Sequence, residues 1–594
     1  MAKLKRGPRL ALCALLAALA YGVGLGRAGL WEPDEGRYGE IAREMVASGD
    51  YVTPRNDWVP YFEKPPLVYW TTAAALETVG DDEFAVRLQA ALASIGTVVV
   101  TAMLGEAMFG AAVGMLAAAA LGLSPLFFIF ARFATPDPLL AFCFTAALAA
   151  FYGAATSGDF HEGRSRRLML AAAGLTALGT LTKGLVALAL AGMIGATWLL
   201  WERRGRDLLR IRWLECAALY LVIVAPWFAL AEARNPGFLR FFIVHEHVQR
   251  FLADTEHGWG PWFFVPIVIA GTWPWILFAP LGMGCGQGGS AAGEDEAAAV
   301  DGESAAEVRG RRRFLAVWFA AVLVFFSIPR SKLGEYILPG LPPLAILAAY
   351  GLEGWRRRPP RRAERVANWY AGLNLAVGIA AAVAGIAFGS WSRNGGPAMA
   401  TDLRRTFAND AVLLGLVLGV GGAAFWGAAR RCGRRAAAVV VAATAAALAG
   451  VIAQAQIALS EGFSYRSLAR TIEPYLDEGC GLASYHHYTQ ALPFYTARRE
   501  QLVGYRGELA PFADTAGAAA SFIGGDRPLR AKWSGAGCTV LIVNRQDWAR
   551  LQGLLEPAAV VGCEGKKLAV INRGARDASV ATGCDQAQTR SQKP

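Results

Sequence analysis

Two short stretches of this sequence place acids in unusual company. The first reads Trp31-Glu32-Pro33-Asp34-Glu35-Gly36-Arg37-Tyr38 and leads on to Tyr61-Phe62-Glu63-Lys64-Pro65-Pro66. The second is Arg132-Phe133-Ala134-Thr135-Pro136-Asp137-Pro138, where two prolines break the helix and fix the backbone around Asp137. A carboxylate at the end of a long apolar run is costly unless it meets water, a cation or a substrate. Taken alone, Asp34 and Glu35 read equally well as helix caps and as reactive acids, and Asp137 reads first as a cap. Two acids at matching depth favour a site, with Asp34 as the base and Asp137 orienting the acceptor, a cation or Asp34 itself.

Cations gather near these acids. Lys64, Lys183, Arg250 and Lys332 all fall at the ends of apolar runs, on the same side as Asp34 and Asp137. Snorkelling toward lipid headgroups explains any one of them. Several beside two acids point to an anionic ligand, with phosphate the obvious candidate. Three of the six histidines, His245, His247 and His257, share one loop with Glu246. A polar loop is the simpler reading of that cluster, since adjacent residues rarely converge on one metal. No Walker A loop or dinucleotide fingerprint occurs, so no nucleotide cofactor is expected.

The elements that must position these residues are membrane helices. Of 594 residues 55% are hydrophobic and only 18% charged, so lipid must solvate much of the chain. Apolar runs of roughly 15 to 24 residues begin near Leu10, Phe84, Ala111, Pro138, Leu168, Gly184, Trp213, Trp262, Phe314, Ile337, Asn368, Asp410 and Ala436, which predicts about thirteen spans. Strand patterns suited to an outer-membrane barrel are absent. The first run follows Lys3, Lys5, Arg6 and Arg9 and lacks a convincing cleavage signal, so it reads as a retained span.

Charge sets the orientation. The net charge of +11 reads as cytoplasmic loop charge and not as nucleic-acid binding, because the basic clusters sit between apolar runs. With the N-terminus inside, the clusters at 164–167, 202–212, 309–313, 356–365 and 430–435 are cytoplasmic. The loops 31–66, 132–137, 180–184, 232–260 and 330–336 then face outward together. Residues 1–458 form the expected membrane domain, and 283–313 read as a flexible cytoplasmic loop rich in Gly, Ala, Glu and Asp. Residues 459–594 read as a small outward α/β domain, with strand-like runs at 539–543 and 568–571. Cys480, Cys538, Cys563 and Cys584 lie in this tail, an even number that permits one or two disulfides in an oxidising compartment. The stretch 41–46 is amphipathic and is expected to lie along the membrane surface, apolar face down.

The segments DEGRYGEIAREMVASGDYVTP, YFEKPPLVYW, EHVQRF and SKLGEYILPGLPPLAIL, in that order, resemble the bacterial aminoarabinose-to-lipid-A transferases. These group with the protein O-mannosyltransferases in the C-type (GT-C) glycosyltransferase superfamily. The resemblance covers roughly residues 10 to 350, with a further segment at 484–499. It implies thirteen spans, a periplasmic site, a polyprenyl-phosphate sugar donor and a glycolipid acceptor, with polysaccharide or protein as the alternative. Asp34 and Asp137 match the acids, Glu35, Arg37 and Tyr38 the rest of the first-loop motif, and Lys64 and Arg250 the residues that hold the donor phosphate. Lys183 is grouped with them, and Lys332 with Tyr336 matches a further loop at the cavity. The resemblance also implies a divalent ion, Zn, Mg or Mn, which by position would fall to Glu63 and His247.

Transfer from a lipid phosphate breaks the bond between sugar C1 and a phosphate oxygen. The leaving group is already anionic and needs positive charge more than a proton. A lipid-linked sugar transporter is the rival from another class. Its site would lie near mid-membrane on inverted repeats, and neither is seen. A structural or assembly protein would leave the acids and the outward cations unexplained.

Overall fold

The computed structural model describes residues 5–157, 160, 163–249, 258–284, 304–357, 361–393, 401–515, 517–573 and 584. A helix or a bent helix pair occupies each of the thirteen apolar runs. Among the described residues seven of these helices are long and apolar enough to cross a membrane, or nine if each of two bent pairs is one span. The bent pairs are Ala111–Gly122 with Pro125–Ala131 and Pro261–Gly271 with Trp275–Met283. The expected count of thirteen is therefore not reached by length and composition alone. Arg6–Gly22 and Val186–Trp201 are short at 17 and 16 residues. Gly163–Lys183 and Ala305–Ser327 carry several arginines in their first turns. That last helix begins inside the stretch expected to be a flexible loop, while 285–303 lie outside the described residues.

The loop expected at 31–66 is structured throughout. It holds the helix Asp34–Ser48 and a hairpin of β1 (Arg55–Asn56) with β2 (Val59–Pro60). The helix does not lie free with one apolar face toward lipid. Glu35, Gly36, Tyr38, Gly39, Glu40, Ile41, Ala42, Glu44 and Met45 are all buried, because Leu67–Val79 packs on one side and Ala491–Thr496 of the C-terminal domain on the other. Its polar residues face protein and need partners there, which a surface helix would have left to water.

The C-terminal domain is a six-stranded mixed sheet in the order β5-β4-β3-β6-β8-β7. The strands are β3 (Gly481–Tyr485), β4 (Glu500–Val503), β5 (Phe522–Ile523), β6 (Thr539–Asn544), β7 (Ala559–Glu564) and β8 (Lys567–Ile571). β3 to β6 run parallel and β7 and β8 close the far edge as an antiparallel pair. The central strands are buried on both faces, which explains their unbroken apolar runs. Cys480 is bonded to Cys538 and Cys563 to Cys584.

The domain is keyed onto the first loop. A Cβ on Gly36 would meet the backbone N of Ala491 at 2.6 Å, so only glycine allows this approach. The Ala491 N–H donates to Glu32 at 2.7 Å, Tyr495 accepts from the Leu30 N–H at 2.7 Å, and Tyr488 donates to Asn56 at 2.8 Å. Loop and domain therefore share one core.

Candidate functional site

Glu35 holds the start of the first-loop helix from below. It is fully buried and accepts two bonds from Arg87, at 2.7 and 2.6 Å. It also accepts the N–H of Trp31 at 3.0 Å and of Ala134 at 2.8 Å. Arg87 spends its remaining donors on the carbonyls of Leu25, Ala28 and Gly29. Both charges are thus matched by hydrogen bonds, the condition under which a buried ion pair is tolerated. The Ala134 bond joins the first loop to the loop that ends at Asp137, so Glu35 is the brace that brings the two acid-bearing segments together.

Asp34, one residue earlier, points the other way. Its side chain keeps about a third of its surface exposed (34%) and pairs with Arg37. Arg37 also donates to Tyr61 at 3.2 Å and to Glu508 of the C-terminal domain at 2.6 Å. Glu508 in turn accepts from Gln490. Tyr38 is buried and lies 5.9 Å from the Tyr69 ring. An accessible carboxylate held by one guanidinium suits a base, whereas Glu35, fully bonded, suits only support.

Asp137 starts its helix at the second position, after Pro136, where proline's missing N–H costs nothing. Its carboxylate is buried and receives Lys183 at 2.5 Å. Lys183 ends the helix Gly163–Lys183 and stands 4.0 Å from the centre of the Tyr336 ring. The structure thus gathers Asp137, Lys183 and Tyr336 from three distant segments. Glu335, which sequence reasoning passed over between Lys332 and Tyr336, lies within electrostatic reach of Asp137, Lys183 and Asp34.

The remaining expected residues divide. Lys64 stands 3.8 Å from Glu63 and 3.7 Å from Glu246, on the segment Phe241–Gln249. Lys332 is buried and donates to the carbonyls of Trp259 and Pro329, closing a loop beside the Gly258–Ser331 bridge. Arg250 and His257 lie outside the described residues, as does the side chain of His247. Among the described residues no three His, Cys, Asp or Glu side chains converge on a metal position. Glu508 and Gln490 were not legible as site residues, because their roles depend on how the C-terminal domain docks.

Residues 9–242 match the family described as dolichyl-phosphate-mannose-protein mannosyltransferase, and 468–572 match the aminoarabinose transferase C-terminal domain. The chain is 35% identical over 384 residues to undecaprenyl phosphate-alpha-4-amino-4-deoxy-L-arabinose arabinosyl transferase 2 of Pseudomonas fluorescens strain Pf-5, covering 63% of this chain and 61% of that one. It is 34% identical over 348 residues to the corresponding transferase of Pseudomonas aeruginosa PAO1, covering 57% and 59%. The matches thus span about three-fifths of the length of these curated relatives. Among solved structures, ArnT from Cupriavidus metallidurans bound to undecaprenyl phosphate superposes with a TM-score of 0.82 at 27% identity, over 97% of this chain and 99% of the other. The chain therefore resembles the aminoarabinose transferases in both its membrane part and its C-terminal domain. With seven to nine helices among the described residues long and apolar enough to span, it is a multi-pass membrane protein.

Proposed function

We propose that this chain is an inner-membrane glycosyltransferase that moves an aminopentose from a polyprenyl-phosphate donor to a lipid A-like acceptor. The observation that carries the reading is the gathering of Asp137, Lys183 and Tyr336, with the Glu35–Ala134 bond bringing the segment of Asp34 to the loop of Asp137. They meet in a fold that superposes along nearly its whole length on a polyprenyl-phosphate-binding transferase. The orientation read from loop charge puts this site and residues 459–594 on the periplasmic side, the N-terminus in the cytoplasm, and thirteen spans between them.

In this reading the acceptor oxygen attacks sugar C1 as the C1–O bond to phosphate breaks, and one displacement inverts C1. Asp34 takes the proton of a hydroxyl acceptor, a contribution of roughly 10²–10⁴-fold. A phosphate acceptor is already ionised, and Asp34 then positions it. The departing lipid phosphate gains its charge partner from Lys64 and Arg250. Asp137, held by Lys183, orients the acceptor, a cation or Asp34 itself. Lys332, committed to two carbonyls, supports the loop that carries Tyr336. The divalent ion that the resemblance implies is assigned to Glu63 and His247, where it would add positive charge beside Lys64. The match of residues 9–242 to protein mannosyltransferases keeps a protein acceptor as the second reading.

The test is transfer of radiolabelled aminopentose from polyprenyl phosphate by the purified chain in proteoliposomes, with lipid A, polysaccharide and protein offered in parallel. Labelled lipid A is the expected product. Label on protein or polysaccharide alone would move the acceptor reading, and no transfer to any acceptor would sink the enzyme reading.

A further inference from the structure

Resting on the reading of Lys64 as a ligand of the donor phosphate, we propose that Asp57 and Phe512 are positioning residues for the lipid-phosphate donor. Through them the C-terminal domain sets the segment that carries Glu63 and Lys64.

The first hold is on the hairpin. Asp57 and Trp58 join β1 to β2, and both have positive φ, 54° and 64°. Two-residue turns of that kind favour glycine or asparagine, and a tryptophan there persists only where its surroundings fix it. They do so from two sides. Glu44 on the first-loop helix accepts the Trp58 N–H at 2.9 Å. From the C-terminal domain, the Glu500 N–H donates to the Asp57 carboxylate at 2.8 Å. The Ser521 hydroxyl donates to the Asp57 carbonyl at 2.7 Å. Asp57 is fully buried in this grip. β2 then runs directly into Tyr61-Phe62-Glu63-Lys64, and the Tyr61 N–H donates back to the Pro54 carbonyl at 2.8 Å. Val59, Tyr61 and Phe62 are buried, and Pro60, Pro65 and Pro66 restrict the backbone. A shift at the hairpin tip is therefore carried to Lys64.

The second hold is a wedge. Phe512 ends the 3-10 helix Gly507–Phe512 of the C-terminal domain. Its ring meets Phe62 edge-on at 5.2 Å between centres and Phe241 edge-on at 5.3 Å. Such pairs prefer a defined geometry, so the ring fixes a spacing as well as burying area. Phe62 precedes Glu63 and Lys64. Phe241 opens the segment Phe241–Gln249, whose Glu246 stands 3.7 Å from Lys64. One aromatic side chain thus spaces the two segments that meet at Lys64.

Glu508 lies on the same 3-10 helix as Phe512 but reaches Arg37, the partner of Asp34. One element of the C-terminal domain serves both ends of the reaction, Glu508 the acid and Phe512 the phosphate. Losing the Asp57 or Phe512 hold loosens Lys64 and leaves the Asp34–Arg37 pair in place. The cost then falls on donor binding and not on the chemical step, which raises KM at unchanged kcat.

The experiment uses the full chain in proteoliposomes, with variants compared at matched folded amounts. Equilibrium binding of polyprenyl phosphate is measured, together with KM and kcat for the sugar-bearing donor. Phe512→Ala and Asp57→Ala should each raise Kd and KM by about tenfold, the scale of one weakened bond to a charged group, with kcat within about twofold of wild type. Asp57→Asn keeps an accepting oxygen and tolerates the left-handed backbone, so it should bind donor as the wild type does. Leu551→Ala weakens the far core of the same domain, which includes no residue of the first loop, and should leave KM unmoved. Unchanged donor affinity in Phe512→Ala and Asp57→Ala overturns the inference. So does Asp57→Asn failing as Asp57→Ala does, or Leu551→Ala raising KM as much as they do. Lys64→Met with full donor affinity would instead refute the phosphate reading on which the inference rests.

Discussion

Lys183 reaches Asp137 at 2.5 Å while its ammonium stands 4.0 Å from the Tyr336 ring centre. Sequence reasoning placed Lys183 among the phosphate ligands, yet the structure gives its charge to an acid. The pair is buried, with side-chain exposures of 12% and 3%, so removing one partner leaves the other charge stranded. Lys183→Met is expected to cost about 3–5 kcal/mol of stability and most of the activity. Adding Asp137→Leu should recover stability without recovering activity. Thermal unfolding of both variants checks the coupling, and additive losses would contradict it.

Glu35 and Asp34 are neighbours with opposite fates. Glu35→Gln breaks the bidentate bond to Arg87 and weakens the Ala134 brace. The expected result is less folded protein but substantial turnover per folded molecule. Detergent-solubilised yield, set against specific activity, separates the two, and a normal yield with no activity would move Glu35 into the chemistry.

Arg37 is shared between Asp34 and Glu508, which makes the C-terminal domain part of the site's geometry. Glu508→Ala leaves Arg37 with a changed balance of partners and is predicted to lower kcat by about tenfold, the scale of one charge-assisted bond. Donor affinity should be nearly unchanged. A rise in KM with unaltered kcat would place Glu508 in donor binding.

The seam between first loop and C-terminal domain should be sensitive to alkali. Burial, reinforced by neighbouring acids, holds Glu44, Asp57 and Glu500 well above the usual carboxylate range. Burial pushes Glu32 up to about 7. Arg43 answers Glu40 one turn away on the same helix face, and Lys567 is the cation that faces Glu32 and Glu500. An acid whose folded value is raised binds a proton that the unfolded chain has already released. The folded state therefore holds more protons in that window, and stability falls as pH rises from about 5 through the folded values. Melting temperature is expected to decline between about pH 5 and pH 8, with a shallower slope in Glu500→Gln. A rising or unchanged slope would contradict the assignment.

The assignment of a divalent ion to Glu63 and His247 predicts that dialysis against EDTA lowers transfer and that Zn, Mg or Mn restores it. Glu63→Gln should abolish the restoration. Full activity after chelation would leave the leaving-group charge to Lys64 and Arg250 alone.

What could be read along the chain followed local physics. Prolines flanking Asp137 mark a helix start, apolar runs mark helices, and 539–543 and 568–571 marked β6 and β8 within a residue. Cysteine parity in the tail anticipated the two disulfides but not their pairing. Long-range matches were not legible. Nothing near Glu35 announces Arg87, 52 positions away, and nothing near Arg37 announces Glu508, 471 away. The helix Asp34–Ser48 looks like a surface helix because its periodicity cannot say whether lipid or another domain covers it. Glu335 was hidden for a different reason: a single acid between two better-known motif residues signals nothing until Tyr336 is seen over Lys183.

The account stands on Asp34 and Asp137 acting on the sugar, and one comparison tests that directly. Transfer of labelled sugar from polyprenyl phosphate in proteoliposomes is measured for wild type, Asp34→Asn and Asp137→Asn at matched folded amounts, alongside donor binding. Loss of turnover by about 10²-fold or more in Asp34→Asn, with donor binding retained, is the predicted result. Asp137→Asn should lose both turnover and the stability that its pair with Lys183 supplies. Full turnover in both variants would contradict the site, and the acids would then be structural.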